Sequence, residues 1–186
     1  MSRVFPPASF DPPQAAPGFG AATWFRVFRC PACRTVLGRQ RIGVVYGPDE
    51  HQIGVRPTGH TIERVELWRG LVPRDPGDDG MLQFGLPRRA YFAAASPPGT
   101  TRRSSLRRDT LVLPSVEGGD PYHVARHDPR RAKTSEGDFV VALSGKQALM
   151  PFVVTCLNLR CKGHWLVAGA PSAAELAVAT PPATPL

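Results

Sequence analysis

The sequence predicts a mostly-β domain with little helix, a small sheet or barrel-like fold whose two ends are joined by one metal site. Three observations carry this expectation. Short runs rich in β-branched and aromatic residues recur along the chain, broken by glycine, proline and aspartate. No segment sustains the 3.6-residue apolar period of a long helix. All four cysteines fall in two tight pairs, Cys30 with Cys33 and Cys156 with Cys161.

At 186 residues the chain fits one domain with tails. Residues 1–20 hold five prolines and three phenylalanines without helical or strand period, so they read as an extended, flexible tail that could dock through Phe5, Phe10 and Phe19. The β-domain spans 21–170. Its first strand-like runs are TWFRVFRC, RIGVVY, QIGVR and TIERVELW, separated by Gly-Pro-Asp and Pro-Thr-Gly turns. The last of these alternates imperfectly, which leaves a short helix open there. MLQF, AYFAA, DTLVL, YHVAR and DFVVAL follow with the same texture. Between them, residues 95–109 combine Pro-Pro-Gly, hydroxyl residues and four arginines and read as a mobile basic loop. Residues 171–186 form an Ala/Pro-rich tail, in which Ser172 and Glu175 stand at capping-box spacing for one or two helical turns.

The cysteine spacing selects a chemistry. Two short turns, Cys-x2-Cys and Cys-x4-Cys, bring four thiolates into the closed tetrahedral cage that zinc favours, and such a cage keeps no open position for a substrate. No stretch is long and apolar enough to span a bilayer, so the expectation is a soluble, cytoplasmic protein. In that reducing compartment, paired cysteines serve as metal ligands more readily than as disulfides. The site therefore reads as structural Zn2+ held by Cys30, Cys33, Cys156 and Cys161. A redox dithiol lacks the βαβ context it would need, and nothing favours an iron–sulfur centre although four thiolates allow one. His164, three residues after Cys161, is the alternative fourth ligand in place of Cys156.

Strand-like segments enter and leave each pair: FRVFRC before CPAC and RIGVVY beyond it, PFVVTC before CLNLRC and GHWLVA after it. This plan resembles the zinc-ribbon fold group, and the resemblance covers about residues 24–46 and 150–168. It implies two hairpin-borne knuckles facing each other, with backbone amides directed at the thiolates. Two departures stand out: Arg34 occupies a place where ribbons often carry glycine, and four residues, not two, separate the cysteines of the second knuckle. A larger oddity is the 122 residues between Cys33 and Cys156. Either the ribbon carries a β-rich insertion or one sheet runs through the chain, pinned at its ends.

Charge points to a partner. The formal net charge is +8, and it is concentrated in residues 1–48 and 81–111, each +5. Arginine outnumbers lysine 20 to 3, a ratio that a GC-rich genome also produces. The leading expectation is a non-enzymatic module that binds DNA or RNA mainly through phosphate contacts, using Arg34, Arg39, Arg41, Arg88, Arg89, Arg102, Arg103, Arg107 and Arg108. Trp24, Phe25, Phe28 or Trp165 would stack bases or, alternatively, pack around the metal. The second expectation is a subunit of a larger protein or nucleoprotein complex, docked through its tails; no membrane partner is expected.

Catalytic motifs are incomplete. His123 and His127 with Asp128 offer a metal or acid–base set, which keeps a metal-dependent hydrolase or nuclease as a third reading. An HNH-type nuclease would need an asparagine beyond the histidine pair, yet the one asparagine of the chain is Asn158. Ser144-Gly145-Lys146-Gln147 lacks the features of a phosphate-binding loop, and no Gly-x-Ser-x-Gly elbow occurs.

Overall fold

A computed structural model of the chain describes residues 4–16, 23–48, 55–76, 80–86, 91–92, 110–113, 122–125, 138–158 and 161–179. Strands dominate it. The first five are β1 (Ser9–Phe10), β2 (Gln14–Ala15), β3 (Trp24–Arg29), β4 (Val36–Pro48) and β5 (Val55–Trp68). They are followed by β6 (Val72–Arg74), β7 (Leu82–Gly85), β8 (Tyr91–Phe92), β9 (Thr110–Leu113) and β10 (Tyr122–Ala125). The chain ends with β11 (Phe139–Ser144), a 3-10 turn (Gly145–Leu149), β12 (Phe152–Thr155), β13 (His164–Val167) and a single helix, α1 (Ala173–Ala179). The fold is mostly β, as the sequence predicts. Among the described residues, no helix is long and apolar enough to cross a membrane.

One sheet runs β1-β3-β4-β5-β11, with β2 also paired to β3, and a second runs β13-β12-β7-β6. In the second sheet β7 and β12 are parallel, whereas the other neighbours are antiparallel. Strands β8, β9 and β10 form a separate antiparallel meander. The first cysteine knuckle joins β3 to β4 in one sheet and the second joins β12 to β13 in the other, so the cysteine cluster joins distant parts of the chain as expected, although no single sheet runs through the described residues.

β5 is a strand throughout its 14 residues, not a helix. Its irregular alternation has a local cause. Arg41 faces Arg64 while Ile42 faces Ile62, so Glu63 is an extra residue that shifts the phase between Ile62 and Val65. In β3 the period of two buries Trp24, Arg26 and Phe28. Phe28 lies opposite Gly38, where an added Cβ would meet the Phe28 ring at 2.5 Å. The core forms where these strands meet the second sheet: Phe28 contacts Phe152 edge-on at 6.0 Å, and Phe152 contacts Phe84 at 5.6 Å.

Residues 4–16, read from the sequence as an extended, flexible tail that could dock through its phenylalanines, run extended and are paired to their own chain. Leu166 of β13 donates its amide to Pro6 and accepts from that of Ala8, while β1 pairs with β3. Phe5 and Ala8 are buried and Phe10 packs on the core, so apolar anchors and backbone hydrogen bonds offset the cost of ordering this proline-rich strap. At the other end the capping box forms as its spacing predicts: Ser172 Oγ accepts from the Glu175 amide, and Glu175 Oε2 accepts from the Ser172 amide. Helix α1 also docks, because Leu176 is buried against Trp24 and Ile42. Residues 180–186, the remainder of the expected tail, lie outside the described residues.

Candidate metal centre

Each knuckle is shaped by its own backbone. In the first, the Cys30 amide donates to Thr35 O (2.9 Å) and the Arg34 amide to Cys30 O (2.8 Å). In the second, the Cys156 amide donates to Gly163 O (2.8 Å), and the amides of Cys161 and Lys162 both donate to Asn158 O. The chain then leaves each knuckle through a residue with positive φ, Arg34 at 60° and Lys162 at 49°. These are the non-glycine residues of that kind among the described residues, and each directly follows the second cysteine of its knuckle. The conformation costs an L-residue about 1–2 kcal/mol relative to glycine.

The two turns bring all four sulfurs within 4.8 Å of one another. The shortest contacts cross between knuckles, Cys33 Sγ to Cys156 Sγ at 3.4 Å and Cys30 Sγ to Cys161 Sγ at 3.5 Å. Such distances are far longer than a disulfide bond. A tetrahedral centre with metal–sulfur bonds of about 2.3 Å places its sulfurs about 3.8 Å apart, inside the observed range. The cluster can therefore hold a metal ion such as zinc with little rearrangement. Cys30 and Cys156 are buried, and Cys33 and Cys161 are half-buried.

Hydrogen bonds prepare the thiols unequally. Burial raises Cys33, but bonds from the Thr35 hydroxyl (3.1 Å) and amide and from neighbouring thiols outweigh it and bring this thiol down to about 7. Burial pushes Cys156 strongly upward against one opposing bond from the Asn158 amide (3.4 Å). Burial likewise raises Cys30, helped by the Cys161 thiol. One thiolate is thus favoured before a cation arrives, and a divalent ion displaces the remaining protons.

No family model, curated protein or solved structure matches this chain.

All four cysteines expected as ligands come together. His164 does not join them: its Nδ1 lies 3.1 Å from Thr155 Oγ1. The arginines expected at a nucleic-acid surface have different fates. Arg34 is exposed, with one guanidinium nitrogen 2.8 Å from Ser9 Oγ and another 3.3 Å from Asp11. Arg39 is buried in an ion pair with Glu66 and stacked on the rings of Phe25 (3.9 Å) and Phe139 (4.4 Å), so its charge is neutralised inside the fold. Arg41 pairs with Glu63 at 2.9 Å. Arg88, Arg89, Arg102, Arg103, Arg107 and Arg108, and with them the 95–109 loop, His127 and Asp128, lie outside the described residues; His123 is placed only as a position on β10. Of the aromatics, Trp24 and Phe28 are core residues, Phe25 lies under Arg39, and Trp165 packs against the core.

Sequence reading missed Thr35 and the Asn158 amide as partners of the thiolates. It also missed that the strap residues Ser9 and Asp11 hold the first knuckle through Arg34, with Asp11 also 2.7 Å from Arg29. The departure at Arg34 was the available signal: a knuckle that lacks glycine after its second cysteine needs another group to hold that residue.

Proposed function

We propose that this chain is a non-enzymatic binding module, held by structural zinc at Cys30, Cys33, Cys156 and Cys161, that contacts the phosphates of a nucleic acid. The observation that carries the reading is the closed four-sulfur cluster, whose donors fill a tetrahedral shell and leave no position for a reacting group. A knuckle on each of two facing hairpins is also the plan of a zinc ribbon. The net charge of +8 supports a polyanionic partner. Arg29, Arg39 and Arg41 are committed to ion pairs, and so phosphate contacts fall to the arginines of the 88–108 segment and to the basic side chains beside the second knuckle.

The test is fluorescence anisotropy of zinc-loaded protein with single- and double-stranded DNA and RNA over a salt series. Affinity that falls steeply with salt, and falls further when Arg102, Arg103, Arg107 and Arg108 are neutralised, supports the reading. Absence of binding at physiological salt overturns it.

A second reading, a subunit of a larger complex, is favoured by exposed apolar side chains. Val140 and Val141 on β11, an edge strand among the described residues, and Leu149 and Met150 on the adjoining turn are each at least half exposed. Association that persists at high salt and is lost in a Val141→Lys variant would select it.

A further inference from the structure

Beside the second knuckle the four-stranded sheet opens into a cleft of about 400 Å³, lined by Arg74, Asp75, Gln83, Thr155, Lys162 and His164. We infer that this cleft binds a phosphate oxyanion, which, resting on the reading above, is a backbone phosphate of the nucleic acid.

Arg74 ends β6, and one arm of its fork donates to Leu86 O at 2.6 Å, anchoring a group that has five N–H donors. His164 is held by its contact with Thr155 Oγ1 and by the Phe5 ring 6.4 Å away. Gly85 keeps the wall open, since a Cβ there would approach Thr155 Oγ1 to 3.2 Å. Lys162, which like Arg34 leaves its knuckle with positive φ, adds a second cationic residue to the cleft lining. The volume suits a small ligand, and the polar lining offers the donors an oxyanion accepts.

Opposing charge makes both cations necessary. Asp75 lines the same cleft, and Cys156 in its wall belongs to a cage that is doubly negative when it holds a divalent ion. Lys162 and Arg74 offset two of these three negative charges, so loss of either should remove most of the affinity.

The experiment uses the zinc-loaded chain and follows backbone amide signals by NMR during titration with sodium phosphate, against sodium chloride of equal ionic strength. A parallel series measures affinity for oligothymidylate. The expected result is phosphate-specific shifts at Gln83, Thr155 and Lys162 to His164. Lys162→Gly and Arg74→Gln should each weaken both ligands about tenfold. Zinc content and melting temperature verify that the knuckle survives Lys162→Gly; if it does not, Arg74→Gln decides. No shift in the cleft with phosphate, or unchanged affinities in the variants, overturns the inference. Oligonucleotide binding that ignores both substitutions removes the cleft and leaves the broader reading standing. Phosphate binding in the cleft without oligonucleotide binding removes the nucleic-acid reading and identifies a site for free phosphate.

Discussion

Cys33 Sγ and Cys156 Sγ lie 3.4 Å apart although 123 positions separate them along the chain. One belongs to the hairpin of β3 and β4, the other to the hairpin of β12 and β13, so the cluster fastens two sheets that no strand pairing among the described residues joins directly. The strap also bridges them, through Pro7 and Leu166 on one side and β1 on the other, as do the Phe28–Phe152 contact and the bonds that Arg26 and Gln40 donate to Gly169 O.

Removing the metal should therefore loosen the contact between the sheets. A ligand present at a thousand times its dissociation constant stabilises a fold by about 4 kcal/mol. For a chain of this size that corresponds to about 8–16 °C in melting temperature. Chelation of zinc-loaded protein should lower the midpoint by this order in scanning calorimetry, and Cys156→Ser should do the same without chelator. A midpoint indifferent to both treatments would mean that the cluster does not fasten the sheets.

Metal uptake should be strongly pH-dependent. In the cation-free cluster, burial holds Cys30 and Cys156 in their protonated forms, while Cys33 titrates at about 7. The two raised thiols favour the metal-free fold below the ordinary thiol range, and that contribution is lost as pH rises. The lowered Cys33 contributes above the ordinary range, and its contribution is lost as pH falls through about 7. Zinc requires all four as thiolates, so affinity must rise with pH. Release of at least two protons per ion near neutrality would raise affinity at least about a hundredfold per pH unit. Competition with a chelator at several pH values, together with proton release in weak buffer, measures the slope; release of less than one proton would exclude a four-thiolate centre.

Glu66 is the hub of the buried charge in the first sheet, paired with Arg39 and, at 2.6 Å, with Arg64. Glu66→Ala would leave Arg39 charged and without its carboxylate between two aromatic rings, which should cost about 3–5 kcal/mol in urea unfolding. Replacing the pair together, Arg39→Met with Glu66→Leu, should recover most of that loss, because apolar groups of similar volume remove the desolvation penalty along with the attraction. If the double variant is as unstable as the single one, the pair is needed for packing and not for charge balance.

This network marks where sequence reading stopped. The ligands were legible because two short cysteine spacings dictate a cage whatever the path between them, and strand character was legible from short β-branched and aromatic runs such as Phe139–Ser144. The role of the arginines was not. Arg26 stands between Trp24 and Phe28 on the inward face of β3, and only register reveals Gln40 across the sheet, whose Oε1 accepts from Arg26 Nε at 3.0 Å. Arg39 likewise has its answer in Glu66, 27 positions away. Composition reports such residues as a basic surface until their partners are known. Residues 4–16 misled for a related reason: proline content predicts an extended chain, and it says nothing of the sheet edges to which that chain is paired.

Gly38 is the most constrained glycine of the sheet. It faces Phe28, and an added Cβ would lie 2.5 Å both from the tip of that ring and from the carbonyl oxygen of Glu66. The ring is fully buried and meets Phe10 and Phe152, so it has no open direction in which to retreat, and the carbonyl belongs to the neighbouring strand. Gly38→Ala should therefore cost about 1–3 kcal/mol although alanine suits a strand backbone better than glycine does. Because Phe28 lies two residues before Cys30, the displacement should also reach the first knuckle, and zinc should dissociate faster from this variant. Phe28→Leu in the Gly38→Ala background tests the cause: a shorter side chain should restore part of both losses, whereas a further drop in stability would place the strain at the Glu66 carbonyl instead.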